Sequence, residues 1–520
     1  MNLNPRAELD RFVVTAEQMQ QIEARVFEAG MPVAALMEKV AQQLTAILQR
    51  DLFATGESSR CWGVLVGPGH NGGDALVVAR ELYLRGYSVK VFQPLNKAKP
   101  LTDAHSRYGQ ALGIPFVEDI QALSDCDAIL DGLFGFGLTR PLEGELAAIV
   151  DAINGWSLPV ISIDLPSGIH TDTGAVLGTA VRATHTCCLG LWKRACYQES
   201  ALPYVGQPRL VDFGLSLADI QAVLGADPAV SRLTAAIARD CLPLPRSPGA
   251  HKYKAGQLLV VAGSRTYSGA AILAGLGAQA SGVGMLTLVV PQTLKPLIHP
   301  ILPEALVVGC EETETGAIAR LPEDLDLIRY SAIACGPGLT RAAADVVNGI
   351  LAAAGPLVLD ADGLNSLASP IEALSKRPAP TVLTPHPGEF KRLFPQLWEQ
   401  AADAGAAAVA AAQACGAVVV LKGPRSAIAN PQSRLWYLPD STPALARGGS
   451  GDVLTGLLGG LLAQTEAANA DQAALAAALG AVWWHAQAGL LAASDRTELG
   501  VDPQTLSRYL ASALSTLMEP

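Results

Sequence analysis

Aromatic side chains are scarce: Phe, Tyr and Trp make up 5% of the 520 residues, and charged residues only 16%. With so few rings the cores must be aliphatic, rich in Ala, Leu and Val. That composition suits helices packed closely on parallel sheet. Half the residues are hydrophobic, which excludes a disordered or fibrous chain, and the 50 glycines follow no collagen period. Basic residues are in deficit. A net charge of −11 excludes a general nucleic-acid or anionic-membrane binder, which would carry a basic face. It leaves room for an anionic small ligand held by a few Lys, Arg and backbone N–H groups. The nine cysteines are odd in number and contain no C-x-x-C pair, so a disulfide scaffold or cysteine zinc site is not expected. Reduced thiols in a cytoplasmic protein fit better. The eight histidines form no ligand cluster, which speaks against zinc catalysis. The stretch from Met1 to Phe12 has no apolar core of a signal peptide.

Two long uncharged stretches, 266–294 and 404–421, reach the length of a membrane span. Ala and Gly dominate both, and each runs into a Val/Leu segment. Each therefore reads as a buried helix followed by a buried strand, with no membrane involved.

The length implies two or more domains. The segment 15–48 reads helical, with T-A-E-Q at Thr15 as a capping start. Apolar strands follow at 61–66, 89–93 and 128–130, with a Gly-rich turn and a helix around 74–84 after the first, and 159–168 reads as a strand ending in a polar turn. A weaker, Pro-rich zone covers 215–248, and the domain boundary is expected near residue 222, giving domains 1–222 and 223–520. Strand-plus-loop units recur at 256–263, 284–290, 332–335, 356–363, 381–389 and 417–423, separated by Ala-rich helices. Both halves are α/β with mostly parallel sheets. Polar residues fall just after the strands, where open α/β sheets bind ligands.

In the first half the sharpest motif is V-G-P-G-H-N-G-G-D-A, Val66 to Ala75, between a strand and a helix. Its glycines permit close ligand approach, and free N–H groups at the helix start can cradle phosphate. It is neither G-x-G-x-x-G nor a P-loop. D-G-L-F-G-F-G-L-T-R-P (Asp131 to Pro141) and I-D-L-P-S-G (Ile163 to Gly168) are further acid-bearing turns at strand ends. Each alone reads equally well as turn chemistry; three at the ends of one sheet would share a cleft.

These loops resemble the N-terminal, YjeF-type epimerase domain of the bifunctional NAD(P)H-hydrate repair enzymes, over essentially the first 215 residues. The family's N-N-G-G-D has His70 in place of its first Asn here, and the usual Ala-Gly after Leu36 to Glu38 is absent. The resemblance implies a Rossmann-like three-layer sandwich that interconverts the R and S hydrates of NADH and NADPH. By match to the family motif, His70, Asn71, Gly72, Gly73 and Asp74, with Gly135, Phe136, Gly137, Leu138, Thr139, Arg140 and Pro141, would contact the hydrate. Asn71, Asp131 and Ser167 would give oxygens to a potassium ion, as a hard cation prefers. Asp164 would serve as the catalytic carboxylate.

The second half carries G-S-R-T-Y-S-G-A-A (263–271), G-P-G-L (336–339), T-P-H-P-G-E (384–389), K-G-P-R-S (422–426) and R-G-G-S-G-D-V-L-T-G (447–456). In the last, three glycines precede Asp452 at a helix start. That pattern makes an anion hole with a carboxylate beside it, suited to holding a phosphoryl group while Asp452 takes a proton from a hydroxyl. D-A-D-G-L-N (360–365) either places a carboxylate near substrate or metal or is a polar strand end. A lone histidine such as His386 is more often structural than a contact.

In order, these motifs resemble the ADP/ATP-dependent NAD(P)H-hydrate dehydratase branch of the ribokinase-like superfamily, over roughly residues 230 to 515. The resemblance implies a ribokinase-like α/β sandwich that dehydrates the S hydrate at the expense of ADP or ATP with Mg²⁺. Ala270, Gly338, His386 and Asp452 would contact the hydrate, with Asp452 as base. Lys422, Gly423, Pro424, Arg425, Ser426 and Gly451 would bind the adenine nucleotide. A homo-oligomer devoted to metabolite repair is the expected whole. The alternative is a ribokinase-like small-molecule kinase with a non-catalytic N-terminal binding domain, disfavoured by H-P-G-E and by the N-terminal match.

Overall fold

Short apolar strands alternating with helices fold here into two α/β units. The computed structural model describes residues 6–52, 61–465 and 470–518. The units are Met1–Val230 and Ser231–Pro520. The division falls beyond residue 222 because the segment after it is structural: Val230–Arg232 is a strand of the second sheet.

Among the described residues the main sheet of the first unit has seven strands: β1 (Cys61–Val66), β2 (Ser88–Phe92), β3 (Phe116–Val117), β4 (Ala128–Gly132), β5 (Val160–Ile163), β6 (His185–Leu189) and β7 (Gln207–Val211). Their order is β3-β2-β1-β4-β5-β6-β7, and every pairing is parallel. Side chains alternate between faces, as a strand requires. Val64, Val66 and Leu130 join a core with the helices α1 (Ala16–Glu28), α2 (Val33–Ile47) and α3 (His70–Leu84). Leu65 and Ile129 join the opposite core, with Ile149, Val150 and Ile153 of the Glu145–Gly155 helix. The result is a three-layer sandwich of Rossmann type. Strand order reverses between β1 and β4, so the loops after them part and leave a crevice. The segment 15–48 is two helices rather than one. Gly30, at φ +102°, and Pro32 break it, while Thr15 and Gln18 close a reciprocal cap on α1.

The second unit carries β8 (Val230–Arg232), β9 (Gln257–Val261), β10 (Met285–Pro291), β11 (Leu306–Cys310), β12 (Ala332–Cys335), β13 (Leu357–Leu359), β14 (Thr381–Leu383), β15 (Val418–Leu421), β16 (Ala427–Ala429) and β17 (Leu435–Tyr437). The sheet order is β8-β17-β16-β15-β14-β13-β12-β9-β10-β11. The run from β15 to β11 is parallel, and β16 and β17 extend it antiparallel. The helices that bear on the site or the core are α4 (Ser268–Ala280), α5 (Pro387–Leu393), α6 (Ala404–Cys415), α7 (Ser450–Gln464), α8 (Ala470–Arg496) and α9 (Pro503–Met518). The two uncharged stretches fold as read: α4 leads into β10, and α6 into β15. Helix α8 is long and apolar enough to cross a membrane by length and composition. However, 72% of its most apolar window is buried inside the unit, where α7 and α9 pack on it.

Helices α4 and α7 touch backbone to backbone. A Cβ on Gly456 would sit 1.8 Å from the Ala274 carbonyl oxygen, and one on Gly277 2.0 Å from that of Val453. This contact sets the position of α7, whose first turn carries Asp452. Gly456→Ala is expected to destabilise the second unit by about 1–3 kcal/mol through overpacking. Urea unfolding measures this; an unchanged midpoint would contradict the packing account.

Candidate active sites

In the first unit three strand ends converge. After β1 the chain turns through Gly67–Gly69 into α3, which starts at His70 rather than near Asp74. The N-cap is Gly69 and no side chain caps this end, so amide hydrogens of the first turn are available to a ligand. After β4, the Asp131 carboxylate is fully buried. Its Oδ1 accepts from Ser167 Oγ (2.6 Å) and Leu133 N (3.2 Å), and its Oδ2 from Ser162 Oγ (2.8 Å) and Ser167 N (3.0 Å). These bonds lock the loop after β4 to the loop after β5.

Asp164 follows β5 with φ +70°, a conformation that costs a non-glycine residue free energy and marks a constrained site. Its Oδ2 accepts from Phe136 N at 2.9 Å and its Oδ1 from Leu189 N at 3.3 Å. The Lys193 ammonium lies 2.5 Å from Oδ1 and is fully buried. Trp192–Lys193 is held in turn by parallel pairing with Val13–Val14.

Asp164 opens onto a cavity of about 550 Å³. His70, Asn71, Asp74, Gly135, Phe136, Gly137 and Leu138 are in its wall. Gly72 and Gly73 are not. They are buried on the back of the turn, where a Cβ would meet the Gly67 carbonyl oxygen (2.0 Å) or the Met37 Cε (2.6 Å). Thr139, Arg140 and Pro141 are exposed and outside the wall, and Asp131 and Ser167 lie outside it, bound to each other. Glu23 of α1, Lys99 and Lys193 join the wall without having been expected. A lone Lys ending the apolar run C-C-L-G-L-W-K was the available signal for Lys193; nothing local marks Glu23.

Burial pushes the Asp74 carboxyl well above the usual range, with Asp164 and Glu23 adding to it. Burial likewise raises Glu23 to about 7, Lys193 opposing and Asp164 assisting. Burial works against the charge on Lys193, yet Asp164 holds its pKa above the ordinary value. The cavity thus holds a carboxyl raised by burial, a group titrating near neutrality and a buried ion pair. Such divergent environments are what acid–base chemistry uses. The oxygens of Asn71, Asp131 and Ser167 are of the type a potassium ion takes. Asn71 Nδ2 is buried without a hydrogen-bond partner, leaving that carboxamide uncommitted on one side.

In the second unit the loops at the carboxyl ends of the parallel strands are stitched together. Gly263 N donates to Pro337 O (2.8 Å), Asp360 N to Cys335 O (3.2 Å), Thr384 N to Leu359 O (3.1 Å) and Lys422 N to Pro385 O (2.9 Å). Ala270 and Gly338 come together: a Cβ on Gly338, at φ +64°, would lie 2.7 Å from that of Ala270. His386 caps α5. Its Nδ1 accepts from Gly388 N at 3.0 Å, so the proton sits on Nε2, and Glu389 returns a bond to His386 N at 2.9 Å. The imidazole is more than half exposed, so capping and substrate contact are compatible.

Helix α7 starts at Ser450 behind Gly449, at φ +99°. Gly451 and Asp452 are in its first turn. Lys422 points inward to Asp360 at 2.7 Å. Ser426 folds back on Gly423, accepting from its N (3.3 Å) and donating to its O (3.1 Å), so it shapes the 423–426 turn. Arg447 donates to Leu499 O at 3.0 Å. Burial raises Asp452 to about 7, with Asp360 adding and Lys422 opposing. An aspartate half-titrated at neutral pH among free helix N–H groups is equipped to take a proton from a hydroxyl.

The family model described as NAD(P)H-hydrate dehydratase matches residues 258–512, and that described as YjeF-related protein N-terminus matches 33–195. The bifunctional NAD(P)H-hydrate repair enzyme Nnr of Thermosynechococcus vestitus is 54% identical over 504 residues, spanning 96% of this chain and 97% of that protein. This chain belongs to the bifunctional NAD(P)H-hydrate repair enzyme family. The counterpart from Synechocystis is 54% identical over 512 residues, 98% of this chain and 96% of the relative. A crystal structure of ADP/ATP-dependent NAD(P)H-hydrate dehydratase from Bacillus subtilis, co-crystallised with ATP/Mg²⁺, is 35% identical. It covers 55% of this chain and 98% of its own, with a TM-score of 0.47.

Lys193→Met leaves Asp164 as an uncompensated buried charge and is expected to cost the first unit about 3–5 kcal/mol. Denaturant unfolding checks this; an unaltered transition would show that the pair carries no such role.

Proposed function

We propose that the two units act in succession on hydrated nicotinamide cofactors. The first interconverts R- and S-NAD(P)HX, and the second dehydrates the S form at the expense of ADP or ATP. The observation that carries this reading is the same in both units: an aspartate stands beside uncapped helix N–H groups at the carboxyl edge of a parallel sheet. In the first unit the hydrate lies in the cavity with its phosphates toward the first turn of α3 and its ring toward Asp164. Asp164 takes the proton of the C6 hydroxyl as the C6–N1 bond breaks, its electron pair passing to N1 and C6 becoming a carbonyl, and returns the proton as N1 adds back to the other face of that carbonyl, with Lys193 steadying the carboxylate. Contacts come from His70, Asn71, Asp74 and Gly135 to Leu138. Thr139, Arg140 and Pro141 flank the opening, and Gly72 and Gly73 shape the turn from behind. Asn71, Asp131 and Ser167 would hold a potassium ion through their oxygens, and the ion would supply positive charge to the loops that carry Asp164.

In the second unit Ala270, Gly338 and His386 hold the S hydrate. Lys422 to Ser426 and Gly451 hold the nucleotide. Asp452 takes the proton from the C6 hydroxyl, whose oxygen attacks the terminal phosphorus and displaces the shortened nucleotide, ADP from ATP or AMP from ADP, on its bridging oxygen. Phosphate then leaves C6 with its electron pair, a proton leaves C5, and the reduced ring is restored. Among the described residues no three His, Cys, Asp or Glu side chains are grouped to hold a metal, so Mg²⁺ comes in on the nucleotide phosphates. The nine free thiols suit a reducing cytoplasm, and we take the working form to be a homo-oligomer.

A mixed R/S hydrate, followed by absorbance of the reduced ring with and without adenine nucleotide, tests the scheme. The intact chain should convert the whole mixture, releasing free phosphate. Asp164→Ala should exhaust only the S fraction, and Asp452→Asn should lower dehydration by about 10²–10⁴ while R-to-S exchange continues. Accumulation of a stable phosphorylated product would point instead to a small-molecule kinase. Replacing potassium by sodium should slow epimerisation and leave dehydration of pure S hydrate unchanged; equal rates in both salts would remove the ion from the scheme.

A further inference from the structure

A helix start stabilises a carboxylate, but a carboxylate there repels a phosphate that the same helix start should receive. The second site has two. Asp452 is in the first turn of α7, and Asp360, at the end of β13, is buried behind it. Asp360 Oδ1 accepts from the Lys422 ammonium at 2.7 Å, and Oδ2 accepts from the Thr455 hydroxyl at 2.7 Å. The same hydroxyl reaches the Gly451 carbonyl at 3.0 Å, so Asp360 is tied to the helical turn that carries Asp452. A Cβ on Gly451 would lie 3.4 Å from Lys422 Nζ and 3.7 Å from Asp360 Oδ2. The ion pair therefore lies directly against the glycine backbone at the start of α7.

We infer that Asp360 is a positioning residue for dehydration: it fixes the Lys422 ammonium beside Gly451 and shields Asp452 from that ammonium, so that Asp452 can accept a proton. This rests on the dehydratase reading above. An unshielded ammonium a few ångströms from a carboxylate favours its charged form and makes it a weaker base. Asp360 neutralises that ammonium and adds a negative charge of its own. The other groups facing this corner are quiet. His485 of α8 meets Ser450 O at 2.9 Å, and burial lowers it to about 4, so it is neutral. Arg447 is turned to Leu499 O, and on α5 His386 and Glu389 cap each other. Burial, Asp360 and Lys422 together leave Asp452 titrating near 7.

The test is the pH profile of kcat/KM for S-NADPHX with ATP and Mg²⁺, on the full chain, with thermal unfolding in parallel. In the unaltered enzyme activity rises through pH about 7 as Asp452 loses its proton. Asp360→Asn removes a negative charge and frees Lys422, both of which lower the pKa of Asp452. The acid limb should move down by about one pH unit or more, and kcat should fall about tenfold. Asp360→Glu keeps the charge, so its limb should stay in place while the longer side chain displaces Lys422 and lowers kcat. A folded Asp360→Asn enzyme with an unmoved limb overturns the inference. So does an Asp360→Glu enzyme with the kcat of the unaltered chain, which decides the matter if the Asn variant does not fold. An unaltered chain that never regenerates NADPH would count against the dehydratase reading itself; a competent chain with an unmoved limb counts against Asp360 alone.

Discussion

A lysine ammonium paired with a buried aspartate is the constraint both sites are built around. Taking two such charges from water costs several kcal/mol per ion, and only close geometry with further hydrogen bonds recovers it. Lys193 and Asp164 meet that demand with backbone N–H groups from Phe136 and Leu189, and Lys422 and Asp360 with the Thr455 hydroxyl. The two pairs are used differently. In the first unit the paired aspartate itself opens on the cavity. In the second it stands behind the first turn of α7, which carries Asp452.

Parallel sheet topology is what makes such placements affordable. The loops 263–271, 336–339, 360–365 and 384–389 leave the carboxyl ends of parallel strands, and neighbouring strand ends hydrogen-bond to one another. In the first unit the reversal of strand order between β1 and β4 opens the crevice that becomes the cavity. In the second, the glycine contact between α4 and α7 lets a buried helix bring its amino end to the strand ends. Scarcity of aromatic residues and abundance of Ala and Gly are the compositional trace of that close packing.

Much of this was legible in the chain. Gly67 to Asp74, Gly336 to Leu339 and Gly448 to Asp452 are local backbone requirements, and local requirements are written in consecutive residues. The buried stretches 266–294 and 404–421 resolved correctly because Ala-rich helix followed by Val/Leu strand is a pattern of periodicity. Strands β6 and β7 escaped notice because H-T-C-C-L has no alternation and Q-P-R-L-V contains a proline. The inward turn of Ser426 and the exposure of Thr139, Arg140 and Pro141 followed from side-chain direction, which a motif does not specify.

The amino-acid sequence by itself determined the α/β class, the two-part organisation, the glycine-rich turns, and that Asp164 would follow a strand and Asp452 would open a helix. Those follow from conformational freedom and hydrophobic period over a few residues. Only the tertiary structure decided that Lys193 closes on Asp164, that Glu23 enters the same cavity from α1, and that Lys422 is shared with Asp360. Each of these joins residues far apart in the chain. Their energies arise from burial and from distance in space, and neither quantity exists until the chain is folded.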